Sequence, residues 1–250
     1  MKAIAIIPAR MAASRFPGKP MRSIIGMPMV EHCYHRACLA LGPDSVYVAT
    51  CDSEIDSHIK SLGGKSIMTS SQHNRATTRT AEALQIIETM QSAVVDVVVM
   101  MQGDEPLVPP HVISETLSHF EDVTVDVVNI MSQIYTKKEF NDRNNVKVVV
   151  NCNNDALYFS REAIPFGGID KHVPIYMQTG IIAFRKAALV HFNQIPEAEL
   201  EICESVDMNR LLENGKPIRQ RAGPLWKIES VHRQYVFLQR TGRQPSRVLH

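Results

Sequence analysis

The stretch AIAIIPARMAASRFPGKPM, residues 3–21, joins a short apolar run to a loop that carries three cationic side chains. The run AIAII is rich in isoleucine and uninterrupted, which is typical of a strand buried on both faces of a parallel sheet. The cations Arg10, Arg15 and Lys19 follow it, with a Pro–Gly pair between the last two. Because ligands bind beyond the carboxyl ends of strands in open parallel sheets, we expect this loop to face an anion.

Strand-like runs and helix-like segments alternate from residue 1 to about residue 131. After the first strand, apolar runs rich in β-branched residues occupy residues 45–50, 94–102 and 125–131. Segments with helical periodicity lie at residues 29–42, 53–64, 77–91 and 109–122. This alternation predicts an α/β fold with a doubly wound, mostly parallel, Rossmann-like sheet.

The pattern changes between about residue 132 and residue 185. The segment NVKVVVNCNNDALYFSR, residues 145–161, predicts two strands around an Asn-Asn-Asp turn, and YMQTGIIAFRK, residues 176–186, predicts another strand. We therefore expect one domain over residues 1–250, in which residues 132–185 form a small added sheet subdomain and a candidate dimer contact. A single helix is predicted over residues 199–216.

The composition argues against several classes of protein. The net charge of +1 over 250 residues indicates no broad basic surface for nucleic acid. The five cysteines contain no CxxC pair and the ten histidines lack metal-ligand spacing, so we expect reduced thiols and no zinc site. No signal peptide pattern opens the chain and no apolar run approaches the roughly 18 residues of a membrane span, so we expect a cytoplasmic protein without membrane contact.

The cationic loop has the side chains to bind a polyphosphate. Arg10 and Arg15 offer planar, bidentate donors, Lys19 offers a mobile point charge, and the backbone amides near residues 12–14 add further donors. The sequence contains neither a GxxxxGK[ST] motif nor a GxGxxG motif, so this would be a different type of phosphate loop. The alternative is a basic turn that contacts only solvent.

A second distinctive loop, QGDEP at residues 102–106, directly follows a predicted strand. A carboxylate at a strand end beside a polyphosphate is a common way to hold Mg²⁺, which makes Asp104 the candidate metal ligand and Gln102 part of the turn. The alternative is an acidic turn that stabilises the start of the next helix. Because a basic loop and an acidic loop are expected at neighbouring strand ends, a single magnesium–nucleotide site explains both.

Four motifs occur in the order of a known family. IPARMAASRFPGKPM at residues 7–21 resembles the signature loop of sugar nucleotidyltransferases, and QGDEP, NVKVVV and ALYFSREAIPF follow it. Together these motifs resemble the 3-deoxy-manno-octulosonate cytidylyltransferases, or CMP-Kdo synthetases, from residue 1 to about residue 218. The resemblance implies an enzyme that uses CTP and Mg²⁺, joins CMP to a 2-keto-3-deoxy sugar acid and releases pyrophosphate. It also implies a homodimer and a role in lipopolysaccharide or capsule biosynthesis.

The resemblance further implies roles for individual residues. The catalytic cations Arg10, Arg15 and Lys19 would hold the triphosphate and the departing pyrophosphate, while Asp104 would bind Mg²⁺. The remaining nucleotide contacts would come from Ala9, Ser14, Arg79 and Gln102.

This chain departs from the family pattern most clearly where the family binds its acceptor. The family motif HLGIY corresponds here to QTGII, which places Gln178 at the position of a sugar-contacting histidine. The family motif EQLR corresponds to DMNR, so Asp207 replaces a glutamate and Met208 replaces a glutamine that would touch the sugar. We therefore expect Gln178 and Asp207 to bind the acceptor and Met208 to form an apolar wall.

Two further departures concern the nucleotide and the metal. The family motif SGT[DE]R corresponds to RATTR at residues 75–79, in which the glycine and the acid are replaced. The family motif VDTPEDL, whose aspartate is a second magnesium ligand, is absent from the segment KIESVHRQYVFL at residues 227–238. Either Glu229 or His232 takes its place, depending on the alignment register. Glu229 is the candidate ligand because a neutral histidine binds Mg²⁺ poorly.

The sequence leaves three hypotheses about function. The first is a cytidylyltransferase with a modified or different keto-deoxy acid as acceptor, because the nucleotide loops are intact and the acceptor motifs are altered. The second is a nucleotidyltransferase with a different base or another anionic acceptor. The third is a homologue that binds nucleotide without turnover. The altered second metal position favours this third hypothesis, whereas the retained Arg10, Arg15, Lys19 and Asp104 oppose it.

Overall fold

The computed structural model describes residues 1–12, 17–92, 94–171 and 173–223. Within these ranges, nine strands form one sheet and two short strands form another. The strands are β1 Ala3–Pro8, β2 Ser23–Ile24, β3 Met27–Pro28, β4 Val46–Thr50, β5 Lys65–Met68, β6 Val97–Met101, β7 Val127–Ile134, β8 Lys147–Val150, β9 Ala156–Ser160, β10 Ile175–Arg185 and β11 Arg219–Gly223.

Helices connect most of these strands. The α-helices are α1 Met29–Leu41, α2 Ser53–Ser61, α3 Ala76–Gln91, α4 Pro110–Ser118, α5 Lys137–Asn141, α6 Lys186–Gln194, α7 Glu199–Glu204 and α8 Met208–Glu213. Short 3-10 turns occur at Lys19–Met21, Pro43–Ser45, His119–Glu121 and Gly168–Lys171. The helices predicted before residue 131 are thus present with small shifts at their ends, whereas β2, β3, β5, β11, α5 and α6 have no counterpart among the predicted elements.

The large sheet has the strand order β11-β7-β10-β6-β1-β4-β5. β1 lies near its centre and pairs in parallel with β4 and β6, so that Ile6 is flanked by Tyr47 and Met100. β10 is antiparallel to both of its neighbours on this path, β6 and β7, whereas β5 and β11 continue the parallel pairing at the two edges. The predicted α/β fold with a mostly parallel sheet is confirmed.

Helices cover both faces of this sheet. On one face α3, α6 and α8 pack against an apolar layer that includes Ile4, Met100 and Phe184. On the other face α1, α2 and α4 pack against alternate residues of the same strands, such as Ala5 and Val99. Because both faces are covered, each central strand is buried along most of its length, which explains the uninterrupted apolar runs in the sequence.

Residues 132–185 do not form a sheet of their own, which corrects the expected location of the small sheet. β6 pairs only with residues 181–185 of the long strand β10. The same edge of β10 therefore extends past the end of β6, and its residues Tyr176 and Met177 are left for another strand. There β8 takes the place of β6, and β9 follows as the second strand of a hairpin. The hairpin around the Asn-Asn-Asp turn is therefore present, but it enlarges the main sheet. The small separate sheet is the β2–β3 pair.

The helix predicted over residues 199–216 is broken into α7 and α8. Ser205, which follows α7, adopts a left-handed conformation with φ of 51°. Arg161 stabilises this break because its guanidinium donates to the carbonyl oxygens of Glu204 and Ser205, at 2.7 and 3.2 Å. The Glu204 carboxylate in turn accepts hydrogen bonds from the Ser160 hydroxyl and the Arg161 backbone N–H. The break thus depends on contacts with β9 and the residue after it, which local helix patterns do not contain.

Candidate active site

The loop after β1 extends across the carboxyl edge of the sheet. The backbone N–H of buried Ala9 donates to the Ala49 carbonyl at 2.9 Å, which continues the pairing of β1 with β4. The next residue, Arg10, points its guanidinium at the loop after β5, where it donates to the carbonyls of His73 and Asn74 at 3.2 and 3.5 Å. Arg10 therefore lies above the ends of three neighbouring strands, as a phosphate-binding cation would.

Lys19 and Asp104 join the two loops that the sequence singled out. The Lys19 ammonium lies 2.7 Å from Asp104 Oδ2, and the two side chains are 41% and 42% exposed. Gly18 precedes Lys19 with φ of 72°, and its N–H donates to the Met11 carbonyl at 2.9 Å, which folds the loop back on itself. An exposed ion pair of this type contributes little to stability, so both groups can exchange partners with a charged ligand.

The turn after β6 is held against β10 by three residues. The Gln102 N–H donates to the Gly180 carbonyl at 2.8 Å, and the Gly180 N–H donates to Glu105 Oε1 at 2.7 Å. A Cβ atom on Gly180 would lie 2.9 Å from both Gln102 Cβ and Glu105 Oε1, so this position requires glycine. Glu105 thus orders the turn, and Asp104 beside it faces Lys19.

Arg79 has a buried position on α3. Its side chain is almost completely inaccessible, and its guanidinium donates to Thr69 Oγ1 at 2.5 Å and to the Cys51 sulfur at 3.6 Å. These partners follow β5 and β4, so Arg79 ties together the two strand ends beside Arg10. Its contact with a nucleotide stays a prediction.

The two residues predicted to bind the acceptor lie on the same face of the sheet. Gln178 of β10 is half-buried and pairs across the strands with Met131, on the face covered by α3 and α8. Asp207, in the break before α8, accepts a hydrogen bond from the Thr77 hydroxyl of α3 at 2.6 Å. Desolvation by burial raises the pKa of the Asp207 carboxyl. The break between α7 and α8 is what places this carboxyl against α3.

Met208 does not form the expected apolar wall of an acceptor pocket. Its side chain is completely inaccessible and belongs to the apolar layer beneath α3 and α8. Because α8 begins at this residue, its first side chain turns into the core while Asp207 stays at the surface of that layer. The expectation for Met208 is therefore wrong.

Three residues predicted to act at this site lie outside the described residues. They are Ser14, Arg15 and Glu229, and His232, the alternative to Glu229, lies outside as well. Their roles stay predictions.

The described residues differ from those of a metal site built by protein side chains alone. Within them no group of three or more His, Cys, Asp or Glu side chains is placed to hold a metal ion. Mg²⁺ does not require such a group, since it is commonly bound by one or two carboxylates together with water and substrate phosphates. Asp104, accessible and next to a cationic phosphate-binding candidate, fits this mode.

Two site residues escaped the sequence reasoning. Asp52 is the second residue after β4, and its carboxylate accepts a hydrogen bond from the Met11 N–H at 2.8 Å, so it shapes the cationic loop. An acidic residue within three positions of the end of a buried strand is the signal that identified Asp104, and it could have identified Asp52 too. Thr77, completely buried beneath Asp207, had no such signal because its role depends on α8.

Comparisons with known proteins show the family of this chain. A family model described as cytidylyltransferase matches residues 4–218. The chain belongs to the cytidylyltransferase family. An 8-amino-3,8-dideoxy-manno-octulosonate cytidylyltransferase of Shewanella frigidimarina is 39% identical to it over 221 residues, covering 88% of this chain and 89% of the relative. A 3-deoxy-manno-octulosonate cytidylyltransferase of Escherichia coli is 36% identical over 218 residues, covering 87% and 86%.

A solved structure supports the same family. It is a CMP:2-keto-3-deoxy-manno-octonic acid synthetase complexed with CTP, with a TM-score of 0.81 and 32% sequence identity, covering 96% of this cytidylyltransferase and all of that chain. The family membership and this similarity make the protein a nucleotidyltransferase. Among its described residues, none of the helices combines the length and the apolar character needed to cross a lipid bilayer.

Proposed function

We propose that this cytidylyltransferase transfers CMP from CTP to a 2-keto-3-deoxy sugar acid and releases pyrophosphate. The observation that carries the proposal is the 2.7 Å contact between Lys19 and Asp104, because it brings together the two side chains that we propose to bind the triphosphate and Mg²⁺. The relatives and the solved structure named above are enzymes for acids of this class, and the latter contains CTP.

The cations of the first loop bind the triphosphate in this proposal. Arg10 reaches over the ends of β1, β4 and β5, and Lys19 stands beside the turn after β6, so the two enclose the space above β1 from opposite sides. Arg15 and Ser14, from the same loop, contribute a further cation and a hydroxyl group to the binding of the triphosphate. Charge on the phosphate oxygens increases in the transition state, so fixed cations at this position favour the reaction electrostatically.

Asp104 is the proposed ligand of Mg²⁺, with Glu229 as a second ligand from the C-terminal segment. The bound ion would neutralise charge on the phosphate oxygens. With a cation on this carboxylate, Lys19 would bind the triphosphate instead of Asp104, since the ammonium and the ion would compete for the same carboxylate.

The reaction needs two substrates held in line. The anomeric hydroxyl oxygen of the acceptor forms a bond to the α-phosphorus while the bond from this phosphorus to the bridging oxygen of pyrophosphate breaks. Arg10, Arg15 and Lys19 stabilise the departing pyrophosphate. The chain's contribution is mainly positioning and electrostatic stabilisation, because no covalent intermediate is required.

The acceptor is proposed to lie against Gln178 and Asp207. The relatives named above act on acids that differ at carbon 8, where one carries an amino group. Glutamine never becomes cationic, and its carbonyl oxygen accepts from an ammonium group, whereas a protonated histidine would repel it. The Asp207 carboxyl group adds a hydrogen-bonding group to the same face of the sheet. The 8-amino-3,8-dideoxy acid is therefore the first acceptor to test.

The proposal includes a cytoplasmic homodimer. Among the described residues of 132–185, four large hydrophobic side chains are exposed, Tyr135, Leu157, Phe166 and Val173, and Phe166 is fully accessible in the single chain. Exposed apolar residues of this size favour burial against another protein surface. Light scattering of the wild type and of Phe166→Ser measures whether a dimer forms and whether this segment contributes to it.

Pyrophosphate release tests the reaction. Purified protein is incubated with Mg²⁺, CTP and either 3-deoxy-manno-octulosonate or its 8-amino-3,8-dideoxy form, with the other nucleoside triphosphates as parallel samples. We expect release with CTP and at least one acid. Release only with another triphosphate would indicate a different base, and CTP binding without release with any acid would indicate a homologue without turnover.

A further inference from the structure

A histidine in the loop between β5 and α3 forms a pair with a glutamate of α3. The proposed reaction uses neither side chain directly. His73 Nε2 lies 2.5 Å from Glu82 Oε2, and both side chains are largely shielded from solvent. Glu82 belongs to the second turn of α3, so the pair fixes the loop to a helix that is itself packed on the sheet.

Further hydrogen bonds make this attachment rigid. His73 Nδ1 lies 3.0 Å from Thr78 Oγ1, and the Thr78 hydroxyl is within 3.1 Å of the Arg75 carbonyl. The Glu82 carboxylate also accepts the Ser70 N–H at 2.9 Å. The pair therefore restrains the loop at three points between Ser70 and Thr78.

The restrained loop presents two carbonyl oxygens to Arg10. The His73 carbonyl accepts from one terminal nitrogen of the guanidinium at 3.2 Å, and the Asn74 carbonyl accepts from the other at 3.5 Å. An arginine side chain has many rotamers, and ordering it before the ligand arrives lowers the entropic cost of binding. The orientation of Arg10 thus depends on where the loop holds these carbonyls.

We infer that His73 and Glu82 are positioning residues for the triphosphate, acting through the two carbonyls that orient Arg10. The inference rests on the proposed function, in which Arg10 binds the triphosphate of CTP. Neither side chain touches the nucleotide in this account. The effect of each should therefore pass through Arg10 and disappear when Arg10 is removed.

Calorimetry of CTP binding in the presence of Mg²⁺ tests this inference. Glu82→Ala removes the carboxylate of the pair, and Arg10→Met removes the guanidinium. Glu88→Ala is the matched control, because Glu88 lies on the same helix and likewise binds one backbone N–H, that of Val95, and one basic side chain, that of Lys186. The double variant Arg10→Met/Glu82→Ala measures the coupling between the two positions.

We expect Glu82→Ala to weaken CTP binding by about tenfold, because Arg10 would then lose its ordering before the ligand arrives. Glu88→Ala should leave CTP affinity unchanged even where it lowers the melting temperature. The double variant should bind CTP no more weakly than Arg10→Met alone. His73→Gln, which keeps a donor for Glu82, should retain more affinity than His73→Ala.

The outcomes separate this inference from the proposed function. If Arg10→Met leaves CTP affinity unchanged, Arg10 does not bind the triphosphate, and the positioning role of His73 and Glu82 is then wrong as well. If Arg10→Met weakens binding but Glu82→Ala behaves like Glu88→Ala, or if the losses in the double variant simply add, the positioning role alone is overturned. Should Glu82→Ala fail to fold, the comparison of Glu82→Gln with Glu88→Gln is judged by the same criteria.

Discussion

The Lys19 ammonium contacts the Asp104 carboxylate at 2.7 Å although 85 residues separate them in the chain. The contact joins the loop after β1 to the loop after β6, two strands that are adjacent and parallel in the sheet. Parallel pairing places the carboxyl ends of both strands at one edge, so a cationic loop and an acidic loop meet there. This arrangement suits a magnesium–triphosphate complex, which needs both charges within a few ångströms.

Replacing Lys19 tests the cationic side of this arrangement. Lys19→Ala is expected to weaken CTP binding and slow turnover, because it removes an ammonium group that would bind the phosphates of CTP. The free energy of unfolding should change by no more than about 1 kcal/mol, since the lysine is exposed and its ion pair is a surface pair. Calorimetry with CTP and a urea denaturation curve measure the two effects. Unchanged CTP affinity and rate would show that the loop is only a basic turn.

Replacing Asp104 tests the acidic side. Asp104→Asn preserves the size of the side chain and removes its charge, so the concentration of Mg²⁺ needed for half-maximal turnover should rise sharply. The fold should be retained, which circular dichroism can verify. The assignment of Asp104 as a metal ligand fails if the variant shows the magnesium dependence of the wild type.

Gln178 tests the choice of acceptor. Gln178→His restores the family residue, so we expect the ratio of kcat/KM for 3-deoxy-manno-octulosonate to that for its 8-amino-3,8-dideoxy form to increase by about tenfold, the size typical of one altered hydrogen bond in a binding pocket. Steady-state kinetics with both acids measure this ratio, and the KM for CTP is the internal control. Efficient use of the unmodified acid by the wild type would contradict the altered-acceptor hypothesis.

Gly180 tests the packing of the turn after β6. A Cβ atom there would lie 2.9 Å from Gln102 Cβ, so Gly180→Ala should cost roughly 1–3 kcal/mol of stability and reduce turnover. Gly215→Ala is the control, because Gly215 has φ of 69° and no neighbouring atom within 4 Å, so its cost is that of the backbone alone. A loss of stability below about 1 kcal/mol in Gly180→Ala would show that the turn adapts to the added methyl group.

Asp207 makes the stability of the protein depend on pH. Because burial raises its pKa, the folded protein holds this proton more tightly than the unfolded chain does. The resulting stabilisation is complete below the ordinary aspartate pKa and is lost as the pH rises through the raised value. The Asp207→Asn variant keeps an acceptor for the Thr77 hydroxyl, and its amide does not titrate. The stability of this variant relative to the wild type should therefore increase with pH.

Urea denaturation of the wild type and of Asp207→Asn between about pH 4 and pH 8 measures this difference. The same variant should bind CTP normally and use the acceptor poorly, if Asp207 faces the acceptor. A difference in stability that does not change with pH would show that the Asp207 carboxyl is solvated like an ordinary surface group.

Much of the site could be predicted because its signals are local. Arg10, Lys19 and Asp104 each follow a strongly apolar strand, and the sheet topology then brings the ends of adjacent parallel strands together. The hairpin of β8 and β9 was likewise evident from the turn residues between two β-branched runs. The attachment of this hairpin to the main sheet was not evident from the sequence, because the attachment depends on the length of β10 relative to β6.

The amino-acid sequence by itself determined the helices before residue 131, the burial of the central strands and the positions of the two charged loops. These properties follow from apolar periodicity and turn chemistry within short segments. Only the tertiary structure decided where the helix is interrupted between α7 and α8. The reason is that Arg161, from another part of the chain, donates hydrogen bonds to the carbonyl oxygens at the end of α7. The same break buries Met208 and places Asp207 against Thr77, so the acceptor side depends on long-range contacts that no local pattern contains.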